Sequence, residues 1–279
     1  MITILRGKTK EVTINTEGPA IIIGECINPT RRKKLIASLQ EEKFDYVLEL
    51  ARAQINAFAD VLDVNVGYPG VDDEKLLPET VIALENNFDI PLCLDSPNPD
   101  AIEAALKVSK GKCLINSVNG EEKSLSVILP IAKEYGAAII GLVMDENGIT
   151  YEPEKRVAIA EKILNRAVKA GIPEEDIIID PMAMAVSADP RACIITLQTI
   201  KLVHDKLKHN ITLGLSNISF GLPGREHLNS AFAALAISAG LTCPIANPEK
   251  IIAIIRAIDL ILGRDDYAMR YIEASRIFK

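Results

Sequence analysis

The sequence predicts an α/β protein, a (β/α)8 TIM barrel with a short N-terminal β-hairpin before its first strand. Three observations predict it. Eight short apolar runs recur along 279 residues. Segments of helical length separate them. No linker or low-complexity stretch breaks the series, which favours a closed barrel over an open doubly wound sheet and a single domain over residues 1–279.

The runs are, in order, AIIIGE (20–25), VLDVNV (61–66), PLCLD (91–95), KCLINS (112–117), AAIIGLV (137–143), DIIID (176–180), ITLGLSN (211–217) and CPIAN (243–247). They are apolar at consecutive positions, as strands buried on both faces are. Between them, residues 43–59 place Phe44, Val47, Leu48, Ala51, Ile55 and Phe58 on one helical face. Segments 98–109, 121–135, 153–170, 191–208, 225–239 and 249–262 repeat that pattern. SPNPDAIEAALK and NPEKIIAIIRAI carry Pro and an acid at a helix start. Residues 2–16 read as a hairpin capping the amino end of the barrel. The GKT within them lacks the upstream glycine spacing of a phosphate-binding loop.

Composition narrows the function classes. Hydrophobic residues make up 48% of the chain and charged ones 25%, an ordinary globular balance that supports a full core. The net charge is −7 and the one dense basic run is Arg31-Arg32-Lys33-Lys34, so a nucleic-acid partner is not expected. Five cysteines without a CxxC spacing argue against a disulfide framework and a zinc knuckle. The N-terminus lacks a signal-peptide pattern, and no apolar stretch reaches the ~20 residues of a membrane span. A cytoplasmic protein with no membrane partner is the expectation.

A barrel of this class carries its site at the carboxyl ends of the strands. The polar residues there are Glu25 with Asn28, Asp63 with Asn65, Asp95-Ser96, Asn116-Ser117, Asp180 and Ser216-Asn217. The three histidines, 204, 209 and 227, fall in helices or loop ends without ligand spacing, so no bound metal and no Ser-His triad is expected. An Asp or Asn at a strand end commonly caps the following helix, and Asp180-Pro181 could be a plain turn. Capping does not account for several acids and amides converging on one mouth. Such a cluster suits a neutral heterocycle rich in donors. A pterin fits, because its 2-amino group and N3–H present parallel donors to one carboxylate.

The tags IIIGECIN, VLDVNVG, PLCLDSPNPDAIEAALK, CLINSVNG, AAIIGLVMDENGI, DIIIDPM and LGLSNISFG occur in that order. Together, over about residues 20–262, they resemble the methyltetrahydrofolate:corrinoid methyltransferases. That family includes the folate module of cobalamin-dependent methionine synthase and is related to dihydropteroate synthase. The resemblance implies that Asp95, Asn116 and Asp180 hold the pterin, with Asp63, Asn28 and Gly214 in the substrate-binding set. It implies that Asn217 reaches N5 and is catalytic. In the family, reduced cobalt attacks the methyl carbon as its bond to N5 breaks, and an amide can both donate to that nitrogen and accept from its protonated form.

The resemblance also implies tetrahydrofolate or 5-methyltetrahydrofolate as substrate and a homodimer. No cobalamin-binding DxHxxG occurs, so a corrinoid (cobalamin) is expected on a separate partner protein, or free. The sequence departs from its relatives at Cys26, where they carry arginine, and at Phe220, where the acetogen enzymes carry glutamine. The Ser-Arg-Lys-Ser of dihydropteroate synthase is absent. Two other readings stay open: a dihydropteroate-synthase-like condensing enzyme, separable by assay with a pterin diphosphate and p-aminobenzoate, and a non-catalytic folate-binding or corrinoid-docking protein, separable by turnover with cob(I)alamin.

Overall fold

The computed structural model describes residues 1–278. Eight parallel strands form the barrel: β3 (Ile23–Ile27), β4 (Val61–Val64), β5 (Leu92–Asp95), β6 (Leu114–Asn119), β7 (Ala138–Leu142), β8 (Ile177–Asp180), β9 (Thr212–Gly214) and β10 (Cys243–Ala246). Neighbours in sequence are neighbours in space, and β10 pairs with both β3 and β9. A parallel bridge from Ile179 to Ile211 joins β8 to β9 and closes the ring.

Alternation along each strand explains the continuous apolar runs. Ile22, Leu62, Leu92, Leu94, Ile115, Ile139, Ile177 and Ile179 pack outward in the core shared with the helices. Ile23, Val61, Cys93, Leu114, Ala138, Ile140, Ile178, Cys243 and Ile245 form a second core inside the barrel. Both faces are buried, so both are apolar. The outer ring contains α2 (Asp45–Asn56), α3 (Asp73–Asn87), α4 (Pro99–Val108), α5 (Glu122–Tyr135), α6 (Pro153–Ala170), α7 (Ala192–Leu202), α8 (Arg225–Ala239) and α9 (Pro248–Ile261), with α1 (Lys33–Gln40) after β3 and α10 (Met269–Ser275) after α9.

The hairpin of β1 (Ile2–Arg6) and β2 (Glu11–Asn15) is antiparallel and plugs the amino end. Its Leu5, Val12 and Ile14 join the inner core. Asn210 Nδ2 donates to Thr3 Oγ1 at 2.9 Å and to the Ile14 carbonyl at 3.1 Å, tying the plug to the start of β9.

Several boundaries differ from the sequence expectation. β3 begins at Ile23, because the N–H groups of Ala20 and Ile22 go to the carboxylates of Asp259 and Asp60. β6 continues to Asn119, through a cis Asn116–Ser117 peptide and a register shift against β7. β9 stops at Gly214, and residues 215–219 turn into a 3-10 helix. α7 gives way to a single π turn at Val203–Leu207. The unanticipated α3 carries Pro78 inside it, which obscures its helical signal.

Candidate active site

Moving two residues toward the carboxyl end from an inward apolar residue reaches the next inward position. From Ile23, Val61, Cys93, Leu114, Ile178 and Ile245 that step arrives at Glu25, Asp63, Asp95, Asn116, Asp180 and Asn247. The barrel interior is therefore apolar below and polar at the mouth. The polar layer follows directly from strand period and parallel register.

Within it, acids and amides pair. Asn65 Nδ2 donates to Asp95 Oδ2 at 2.9 Å, and Asn116 Nδ2 donates to Asp63 Oδ1 at 3.2 Å. Neither aspartate caps a helix; Asn98 caps α4 instead. Burial pushes the Asp63 carboxyl up, the nearby Asp95 charge adds to this, and the Asn116 amide opposes it. Burial also raises Asp95, against the hydrogen bond from Asn65.

Asp180 is buried and its Oδ1 accepts from the Met182 N–H at 2.7 Å. Burial pushes its carboxyl up to about 7, against that N–H and the positive field of Arg156. Arg156 is fully buried on α6. Its Nη1 donates to the carbonyls of Pro181 (2.8 Å) and Met182 (3.0 Å), and its Nε to Thr150 (2.7 Å). It thereby fixes the loop that shapes the Asp180 turn. Sequence reasoning missed Arg156. The available signal was a charge on the apolar stripe that it shares with Ala160, Ile163 and Ala167.

Asn217 lies in the 3-10 turn after β9, and not on the strand itself. The turn is held from several sides. Arg225 donates to the Ser216 carbonyl (2.6 Å) and Ser219 Oγ (3.0 Å), Val186 N–H to the Ile218 carbonyl (3.0 Å), and Ser187 Oγ to the Phe220 carbonyl (2.7 Å). The Asn217 side chain is exposed and hydrogen-bonds no described residue, so it is no cap. Its Nδ2 lies 2.8 Å from where a Cβ on Gly214 would stand.

Asn28 Oδ1 accepts from Thr30 N–H in its own loop at 3.0 Å, a turn bond and not a cap of α1, whose N-cap is Arg32. Glu25 is half-buried, and burial raises its carboxyl against the Ser216 hydroxyl and the charges of Arg32 and Arg225. Cys26 is buried beside Arg32. Phe220 is half exposed, with the Arg31 guanidinium 5.2 Å above its ring. All five cysteines are free thiols. Among the described residues no group of three or more His, Cys, Asp or Glu side chains is arranged to hold a metal ion.

Comparison with known proteins places this architecture. The chain is 30% identical over 266 residues to the methylcorrinoid:tetrahydrofolate methyltransferase of Eubacterium limosum, covering 92% of this chain and 96% of the relative. It is 31% identical over 276 residues to methionine synthase of Mycobacterium tuberculosis, a match spanning 90% of this chain and 23% of that larger protein. Yersinia pestis dihydropteroate synthase, solved with a sulfonamide drug, superposes with a TM-score of 0.71 at 16% identity, covering 90% of this chain and 97% of that one. The 7,8-dihydropteroate synthase of Vibrio fischeri gives 0.70 at 17% identity, covering 94% and 99%. At those identities the likeness speaks for the shared barrel alone. The model of the pterin binding enzyme family matches residues 24–247, which run from β3 to the last residue of the polar layer. The chain belongs to the pterin-binding enzymes.

Proposed function

We propose that this protein is a methyltransferase that moves a methyl group between N5 of tetrahydrofolate and the cobalt of a corrinoid carried by a separate protein. The observation that carries the reading is the mouth itself: acceptor carboxylates at Asp95 and Asp180, an amide at Asn116, and the free, anchored amide of Asn217. The named methyltransferase relative, matched along 96% of its length, supports the same reading.

The donor set suits the substrate. Asp180 and Asp95 accept from the donor edge of the pterin, Asn116 donates to its acceptors, and Asp63 holds Asn116 in place. Asn217 serves the bond-breaking end. A tertiary amine leaves poorly, and a preorganised amide at N5 stabilises its changing charge without reorganising at the moment of reaction. The corrinoid supplies the metal-centred nucleophile or, in the reverse direction, the methyl donor.

The finer features of this reading are a single functional domain over residues 1–279, a cytoplasmic location and no resident metal. No described helix is long and apolar enough to cross a membrane. We also assign a homodimer, supported by exposed Leu235, Ile261, Leu262, Met269 and Ile272 on the faces of α8, α9 and α10. The test is direct. Purified protein with 5-methyltetrahydrofolate should convert cob(I)alamin to methylcobalamin in the visible spectrum. Absence of conversion in both directions, with free and protein-bound corrinoid, would defeat the proposal.

A further inference from the structure

The basic run Arg31–Lys34 finds no role in holding a pterin, yet the fold brings Arg32 from it to the mouth. Beside β3, β9 and β10 lies a recess of about 270 Å³ lined by Glu25, Arg32, Ser216, Arg225, Asn247 and Lys250, among others. Three cations thus meet at one side of a protein whose net charge is −7. Lys250 pairs with Glu226 at 2.9 Å, so the three cations face two lining acids, Glu25 and Glu226, and the lining keeps a positive surplus. Arg31 and Lys33 are exposed, with Arg31 over the Phe220 ring, whereas Lys34 turns away to Tyr46 and Glu49.

Resting on the function proposed above, we propose that this recess receives the γ-glutamyl carboxylates of a folate polyglutamate. The three cations gather on one arc of the mouth, beside β3, β9 and β10 and with Glu25 and Glu226 among them, whereas Asp63, Asp95 and Asp180 belong to β4, β5 and β8. A folate has a donor-rich pterin at one end and carboxylates at the other. The position also agrees. Ser216 lines the recess and Asn217 is the next residue of the same turn. The folate tail leaves from C6, the carbon bonded to N5, so a pterin whose N5 faces Asn217 starts its tail beside the recess. Glutamates beyond the first add only carboxylates and amide links, the groups that guanidinium, ammonium and Asn247 recognise.

The test is calorimetric titration with 5-methyltetrahydrofolate bearing one or three glutamates, and with tail-free 6-methyltetrahydropterin. Wild type is compared with an Arg32→Gln/Lys250→Gln variant, which spares Arg225 and its grip on the Asn217 turn. The triglutamate should bind about tenfold more tightly than the monoglutamate, each added carboxylate acting at the level of an exposed ion pair. Higher salt should erode that advantage. In the variant the ratio should fall below about twofold while the tail-free pterin binds both proteins alike.

Equal affinities for the two folates in wild type would overturn the inference and leave the methyltransferase reading standing. A triglutamate advantage that survives the double substitution would overturn the recess as its source. A variant that keeps the ratio but loses turnover with the corrinoid protein would reassign the cations to partner docking. Failure of wild type to bind any of the three ligands would remove both proposals together.

Discussion

The amide of Asn217 rests on the bare α-carbon of Gly214: a Cβ there would stand 2.8 Å from Asn217 Nδ2. The glycine clears the place where the amide sits, at the point where β9 gives way to the 3-10 turn. Gly214→Ala should therefore move a flexible side-chain end while leaving the backbone intact. Its thermal midpoint should stay near wild type while methyl transfer to cob(I)alamin drops. Asn217→Ala should lower kcat by ~10²-fold or more with a much smaller change in folate affinity. Stopped-flow decay of cob(I)alamin, paired with a melt of each variant, checks this. A rate within a few-fold of wild type for Asn217→Ala would take that residue out of the mechanism.

Asp180 should make folate binding depend on pH. Its carboxyl sits at about 7 in the free protein because it is buried, and the acceptor role requires the ionised form. Affinity should be level above that value and weaken as pH falls through it, approaching tenfold per unit. Asp180→Asn should reduce affinity by ~1–3 kcal/mol at pH 8, since a donor now faces donors, and the pH slope through 7 should become shallower, leaving what Asp95 contributes. Calorimetry between pH 5.5 and 8.5 measures both.

The buried acids of the mouth should weaken the empty protein. Asp63 and Asp180 have folded-state values raised above the ordinary carboxyl range. Such groups stabilise the fold relative to its charged form below the unfolded value, and that contribution is lost as pH rises through the folded value. Ligand-free wild type should thus melt lower at pH 8 than at pH 5 as far as these two groups act. Asp63→Asn should raise the midpoint at pH 8 by ~2–4 °C for each kcal/mol recovered and impair folate binding. A midpoint unchanged or lowered at pH 8 would show that the buried charge is better compensated than the mouth geometry implies.

Arg156 is the residue on which the Asp180 turn depends without touching substrate. Arg156→Met keeps the volume but deprives the Thr150, Pro181 and Met182 carbonyls of their donors. Loss of at least ~2 kcal/mol is expected in urea denaturation. Arg156→Lys should recover only part, because one ammonium cannot reproduce a planar fork. At temperatures where both variants are folded, KM for folate should rise more than kcat falls.

Activity should withstand EDTA. No described cluster of ligand-type side chains could hold an ion at the mouth, and the proposed chemistry asks nothing of a resident metal. Stoichiometric zinc in the purified protein, with turnover lost on its removal and restored on its return, would contradict this.

The sequence by itself determined the barrel. Burial on both faces forces apolar residues at consecutive strand positions, and the eight runs display this without any knowledge of contacts. It also determined which polar residues stand at the carboxyl ends, because strand period and parallel register lift Asp63, Asp95, Asn116 and Asp180 from the apolar layer by two residues each. Tertiary structure alone decided how they are used. Asn28 and Asn65 look equivalent in the chain, and each closes its own loop through Oδ1, yet Asn65 also crosses to Asp95, 30 residues away. The turn that carries Asn217 is held by Arg225 and by the loop after β8. The support beneath Asp180 comes from Arg156, and the recess joins a basic run near residue 32 to side chains beyond residue 215. Local pattern records burial, which each residue experiences for itself. Hydrogen bonds and charge pairs between distant residues exist only once the ring has closed, and no periodicity in the chain encodes them.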